Sequence, residues 1–261
     1  MRHLLLLCAL ALLASCVPNR KYVYLQRNDV NKADLPVDTV VRSYAYQNFE
    51  YRIQPEDILS IRFESLTSKE YDFLSRESPV SGQALGQNAN PLMIGELVDV
   101  EGNVPFPVIG KVKVAGLTVY EAQDTLQKIA NQYLQSPLVK VRLINFRVTI
   151  LGEVAKEGTI ELNNNRVTLM EAIGLAGGLT DLADKKNVKL IRIKDGKTDV
   201  QYIDLLDEAF VQSPNFFVHQ NDLLIVPALR QRPYRKYFGQ NVSMIISTLT
   251  LLVLTINLIR N

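Results

Sequence analysis

The sequence predicts an α+β protein of two small modules in succession, each a sheet with one helix, followed by a C-terminal helix able to span a membrane. Three observations predict it. Short segments of alternating apolar and polar residues recur between turn signals. Two capping boxes, Thr118 with Glu121 and Thr168 with Glu171, each open an apolar stripe of helical period. Residues Val242–Ile259 form an uncharged apolar stretch near the length of one bilayer crossing.

The chain opens with Arg2 and His3, an apolar run over residues 4–13 and the small pair Ala14-Ser15. A run this short falls below the roughly 20 residues that cross a hydrocarbon core, so residues 1–15 read as a cleaved signal peptide. Leu13-Ala14-Ser15-Cys16 resembles the bacterial lipobox, in which the cysteine sulfur takes diacylglycerol. Cys16 is therefore expected to be lipidated; the alternative is a soluble secreted protein with an incidental cysteine. Each buried methylene contributes ~0.8 kcal/mol, so several acyl chains hold a protein where one binds only marginally. The other cysteine, Cys8, leaves with the leader, so stability must come from packing rather than a disulfide. A net charge of +2 gives no overall basic character and argues against a nucleic-acid partner.

Residues 16–48 are polar and irregular, with Pro18 and Pro36, and read as a lipidated tether. Tyr51-Arg52-Ile53 and residues 58–63 alternate as half-buried strands do, around the turn Gln54-Pro55-Glu56-Asp57. Residues 67–90 are rich in Ser, Gly, Asn and Gln without periodicity and are expected as an insertion loop. Short strands follow over 97–100, 105–109 and 111–114. Thr118 then opens an amphipathic helix whose stripe is Val119, Ala122, Leu126, Ile129, Ala130 and Leu134, ended by Ser136-Pro137. Residues 138–146 alternate again, with Lys140, Arg142 and Asn145 on the exposed side.

The second module starts at Arg147. Strands are expected over 148–152 and 159–162, a brief helix from Thr168 through Leu169, Ala172, Ile173 and Ala176, and a hairpin of 188–193 with 198–203 around Asp195-Gly196. Segments 216–219 and 223–226 complete the sheet. Ala176-Gly177-Gly178-Leu179-Thr180 has the look of a phosphate loop but follows a helix instead of preceding one, which favours a C-cap. Pro55-Glu56-Asp57 reads as a turn in preference to a paired-carboxylate acid/base site, since no second charged cluster accompanies it.

Catalytic residues are not expected. His219 is the one histidine beyond the leader, no His/Cys metal set can form, and neither a Gly-x-Ser-x-Gly nor a phosphate-loop motif occurs. The chain is expected to be no enzyme and to need no metal or cofactor beyond the lipid on Cys16. Before the apolar tail, Tyr234, Arg235, Lys236, Tyr237 and Phe238 make a basic, aromatic collar over 230–241 suited to a membrane interface. Within 242–259, Ser243, Ser247, Thr250 and Asn257 fall on one helical face, so one side is mildly polar. The residues alone leave open whether that face lines a pore or belongs to a simple anchor. For a secreted body, Arg230, Arg232, Arg235 and Lys236 lie on the periplasmic side, which conflicts with an inner-membrane anchor and not with the outer membrane.

Residues 51–59, Tyr-Arg-Ile-Gln-Pro-Glu-Asp-Ile-Leu, resemble the opening of the polysaccharide export domain of Wza-type outer-membrane proteins, with Glu56 where the family usually has glycine. Gly110, Gly116-Leu117-Thr118 and Glu121-Ala122 continue the pattern. Gly152-Glu153-Val154, Gly158, residues 168–173, Ala176-Gly177-Gly178 and Asn221-Asp222 resemble the soluble-ligand-binding β-grasp (SLBB) domain that follows it. The resemblance implies an export domain over 49–146, an SLBB β-grasp domain over 147–229, and a transmembrane helix over 242–259. It further implies a homo-oligomeric ring in the outer membrane, lipid-anchored and with a periplasmic body. C-terminal helices would enclose a porin-like pore for capsular polysaccharide or exopolysaccharide, delivered by an inner-membrane co-polymerase or transporter. The competing expectation is a periplasmic scaffold or glycan-binding lipoprotein anchored by its tail.

Overall fold

A computed structural model of the chain describes residues 23–27, 29, 36, 38–45, 49–66, 95–194, 196–230 and 232–260, with side chains of the final segment at 242–252, 254–255 and 257–259. The leader, Cys16 and the expected insertion at 67–90 lie outside the described residues.

The first module is a three-stranded antiparallel sheet with one helix and a hairpin. Strand β1 (Ile58–Glu64) lies between β2 (Glu96–Leu97) and β5 (Leu138–Leu143), while β3 (Asn103–Phe106) and β4 (Gly110–Lys113) form the hairpin. The register follows from the alternation: Leu59, Ile61 and Phe63 stand opposite Leu143, Val141 and Val139, making one face apolar. Helix α1 (Val119–Ala130) covers that face with Ala122, Leu126 and Ala130, one turn apart and all buried. Its capping box is closed on both sides, Glu121 N–H donating to Thr118 Oγ1 at 3.1 Å and Thr118 N–H to Glu121 Oε2 at 2.8 Å.

The second module holds five strands in the order β7 (Gly158–Glu161), β6 (Arg147–Gly152), β10 (Leu223–Val226), β8 (Val188–Lys194), β9 (Lys197–Ile203). Strands β6 and β10 run parallel, and every other neighbouring pair is antiparallel. Helix α2 (Leu169–Leu175) packs Leu169, Ala172 and Ile173 on the inner face, against Val148, Ile150, Leu190 and Leu224. The helix ends as the sequence indicates. Gly177 (φ +80°) and Gly178 donate to the Gly174 and Ile173 carbonyls at 2.9 and 3.0 Å, a Schellman cap that leaves no role for a phosphate loop. Gly152 is required for another reason: at φ +97°, a Cβ there would lie 2.1 Å from the Val226 carbonyl oxygen.

Two expected strands are not strands. Tyr51 and Ile53 are buried, but Ile53 exchanges its backbone bonds with Leu117 and Gly116, giving only an isolated bridge between Arg52 and Thr118. Residues 216–219 likewise bond to the loop before α2, Leu169 N–H to Phe216 O at 2.8 Å and Val218 N–H to Val167 O at 3.0 Å. In both places alternation records burial beside a loop, not a ladder. Helix α3 (Arg232–Arg260) is longer than its apolar part, taking the collar at 234–238 into the same helix. Pro233 sits in the first turn, where the missing N–H breaks no bond.

Candidate functional site

Strand directions fix which segments leave which end of the second sheet. Val226 pairs with Gly152, Ile225 with Lys189 and Lys189 with Tyr202, so the C-terminal ends of β6, β9 and β10 share one end. The chain leaves that end toward α3, pinned by Asp184 N–H to Pro227 O and Leu229 N–H to Leu182 O, both 2.8 Å. The N-terminal segment arrives at the same end. Leu25 N–H donates to Leu205 O at 3.1 Å, and Glu208 N–H, opening the 3-10 helix Glu208–Gln212, donates to Gln26 O at 3.2 Å. The first module enters at the other end, where β6 begins at Arg147 and Asn221 N–H donates to the Arg147 carbonyl at 2.9 Å.

The segment expected as a tether is fastened to the second module at several of its described residues. Lys185 Nζ lies 4.1 Å from the centroid of the Tyr24 ring. Arg42 donates from Nε to Glu208 Oε1 at 2.6 Å, with Nη2 reaching Glu208 and, at 3.0 Å, Asp29. Tyr44 adds an O–H bond to Glu208 at 2.7 Å, and these donors hold the Glu208 carboxyl below its ordinary range, Arg42 contributing most. At the opposite end of the sheet Phe49 stacks on Phe217 and tilts against His219. The described parts of the segment act as a strap on the second module. Polar composition concealed this, because the fastening is made by charges and backbone bonds.

Helix α3 holds Ser243, Ser247, Thr250 and Asn257 on one side at helical spacing, all exposed. Ser247 Oγ donates to Ser243 O and Thr250 Oγ1 to Ile246 O, each at 2.8 Å, so both hydroxyls are satisfied within the helix. Two threonines escaped the sequence reading. Thr248 and Thr255, seven residues apart, lie about 140° around from Ser243 and also donate to the helix's own carbonyls. None of the described side chains in the Val242–Ile259 window is buried inside the protein, and by length and composition the window can cross a membrane. Tyr234, Arg235, Lys236, Tyr237 and Phe238, expected at a membrane interface, occupy the first turns of α3.

The contact between modules contains three strongly shifted titrating groups, Tyr51, Asp57 and His219. Tyr51 joins the second module's core, edge-on to Phe146, and its hydroxyl donates to Asp57 Oδ2 at 2.7 Å. Asp57 also accepts from Gln54 N–H at 2.8 Å, but burial outweighs these bonds and raises its carboxyl to about 6. Burial, aided by the Arg192 charge, lowers His219 to about 4. Asn145 ties the turn to this contact, accepting from Ile58 N–H at 3.0 Å while Gln220 donates to its carbonyl at 2.8 Å. Asp57 therefore serves the turn, as its sequence context indicates. Among the described residues no three His, Cys, Asp or Glu side chains are grouped to hold a metal ion.

The outer faces of the two sheets differ in kind. On the second, one cross-strand row runs Thr149, Leu223, Ile191, Val200 and the next Leu151, Ile225, Lys189, Tyr202. Val200 is 54% and Tyr202 68% exposed, as is Ile193 beside them at 68%. On the first, the same side carries Ser60, Arg62, Glu64, Lys140 and Arg142. Near-neutral net charge hides that local basic strip because charge is an average and the fold segregates it. Lys189-Leu190-Ile191-Arg192-Ile193 did signal the apolar face, since two of its three outward positions, Ile191 and Ile193, are Ile where water favours polar residues.

Residues 45–144 match the family model of the polysaccharide biosynthesis/export protein, and residues 146–226 that of the SLBB domain. The chain is 28% identical over 199 residues to the EPS I polysaccharide export outer membrane protein EpsA of Ralstonia nicotianae, covering 72% of this chain and 49% of that one. It is 28% identical over 153 residues to the EpsA of Ralstonia solanacearum, covering 54% and 39%. The chain thus spans half or less of the length of these curated relatives.

Proposed function

Because the chain carries a polysaccharide biosynthesis/export domain followed directly by an SLBB domain, we propose that it is an outer-membrane translocon subunit for capsular polysaccharide or exopolysaccharide. In this reading it is a lipoprotein acylated at Cys16, with its body in the periplasm and no catalytic role. Several copies close into a ring, receive polymer from an inner-membrane co-polymerase or transporter, and line a pore with their C-terminal helices.

The observation that carries the reading is the common exit: the N-terminal strap and α3 both leave the same end of the second sheet, opposite the export domain. A body held at one end by lipid and helix presents its export domain away from that membrane. One helix cannot enclose water, so a conduit needs several copies, whose backbone bonds are already satisfied in lipid. Exposed apolar residues on the outer sheet face, Ile193, Val200 and Tyr202 among them, suit contact between neighbouring copies. Ser243, Ser247, Thr250 and Asn257 would then face the lumen.

The intrahelical bonds of Ser247 and Thr250 favour a second reading, because a lone anchor in lipid needs its hydroxyls satisfied in this way. That reading is a periplasmic scaffold or glycan-binding lipoprotein. Deleting residues 242–261 separates the two. An exporter lacking them accumulates polysaccharide in the periplasm; a scaffold keeps surface polymer and partner recruitment. A large apolar residue at Ser247 should impair export while leaving assembly intact, and normal surface polymer with correctly inserted Ser247→Phe protein would count against pore lining.

A further inference from the structure

Three cations meet on the outer face of the first sheet. Arg62 on β1 is directly opposite Lys140 on β5, and Arg142, two residues along β5, is opposite Ser60. Like charges directly opposite on a sheet destabilise it, so the fold tolerates Arg62 against Lys140 at a cost. The acid on this face is Glu64, whose Oε1 lies 2.8 Å from Lys140 Nζ. The guanidinium groups of Arg62 and Arg142 have no hydrogen-bond or ion-pair partner among the described residues. Neighbouring strands lie about 4.8 Å apart and alternate residues about 6.7 Å apart, so the three exposed cations form a close-set strip.

We propose that Arg62, Lys140 and Arg142 bind carboxylate groups of an anionic polysaccharide, so that the passenger is acidic. This rests on the export reading and specifies its substrate class. Guanidinium groups present fixed donor forks that match carboxylates, and two forks are free here. Exposed pairs of this kind are individually weak and screened by salt, which suits a polymer that must slide and be released. Repetition around a ring would supply avidity without any tight single site. The membrane holding α3 is the wrong source of anions, because the first module joins the second sheet at the Arg147 end, away from the exit of α3.

The test uses the full chain purified in detergent, with polygalacturonate as carboxylated probe and dextran as neutral probe. Binding to polygalacturonate should weaken with added salt and fall about tenfold or more in the R62E/R142E variant. R62Q/R142Q should show a smaller loss in the same direction, and K194E/K197E, which moves the same charge at the tip of the β8–β9 hairpin, should bind as the parent does. Equal binding to dextran, equal loss in the hairpin variant, or retention only on phosphatidylglycerol vesicles would overturn the proposal. If deletion of 242–261 blocks export while the intact chain ignores polygalacturonate, the strip fails and the export reading stands. If that deletion leaves export unchanged, the export reading fails.

Discussion

Arg192 and Asp222 form a two-pronged ion pair inside the second module, Nε donating to Oδ1 at 2.8 Å and Nη2 to Oδ2 at 2.7 Å. Their side chains are 8% and 2% exposed. The same carboxylate accepts His219 N–H at 2.8 Å, and the guanidinium also donates to Asn215 Oδ1 and Phe217 O. Asp222 thus holds the segment that failed to become a strand.

Removing one partner strands the other without water. Asp222→Ala should destabilise the chain by about 3–5 kcal/mol, seen as a large fall in the thermal midpoint of the detergent-purified protein. Arg192→Met combined with Asp222→Leu should recover part of that loss, and not all, because His219 N–H still lacks its acceptor. A double variant no more stable than Asp222→Ala would mean that the uncompensated charge is not the cause.

Glu56 has φ +71°, the left-handed conformation that costs an L-residue about 1–2 kcal/mol. Glycine avoids that strain but loses about 0.5–1 kcal/mol through the freedom of the unfolded chain. Glu56→Gly should therefore stabilise by about 0.5–1 kcal/mol, while Glu56→Val should destabilise. Both keep the Glu56 carbonyl that accepts from Asn145 at 3.2 Å, so thermal midpoints report backbone strain alone.

The contact between modules should show two opposed pH dependences. Asp57 is raised from 3.8 to about 6, so the folded state binds its proton more tightly and stability falls as pH rises through that interval. His219 is lowered from 6.5 to about 4, so its contribution is lost in acid and gained as pH rises toward 6.5. Over their shared range the slopes offset each other. Asp57→Asn should make stability climb more steeply between pH 4 and 6, and His219→Gln should make it decline there. Unfolding curves across pH decide the matter; parallel profiles for both variants would contradict the assignment.

Val200→Asp with Tyr202→Asp places charge on the exposed apolar rows of the second sheet. Neither side chain is in the core, so thermal stability of the protomer should change by less than about 1 kcal/mol. The mass of the detergent-solubilised particle should drop toward that of single copies. A particle of unchanged mass would put the contact between copies elsewhere.

Both capping boxes, the pairing of β8 with β9 and the Gly177-Gly178 helix stop were legible because each depends on residues close together in sequence. The Tyr51–Asp57 bond was not, although the two lie close in the chain, because it forms only when Phe146 closes over the tyrosine. Arg42 and Glu208 are 166 residues apart, and no local pattern marks such a pair. Segments 51–53 and 216–219 misled because alternation reports which side is buried and not what the backbone bonds to. The four polar positions of the tail share one side of α3, since an unbroken helix makes side a function of spacing alone.

Strands β6 and β10 lie side by side and parallel, entered from the export domain at Arg147 and left toward the terminal helix after Val226. Traction between those two connections therefore acts along the strands in opposite senses. The rungs from Thr149–Leu223 to Gly152–Val226 must shear together instead of unzipping in turn. Such an arrangement makes the second module a mechanical clamp between the first module and α3.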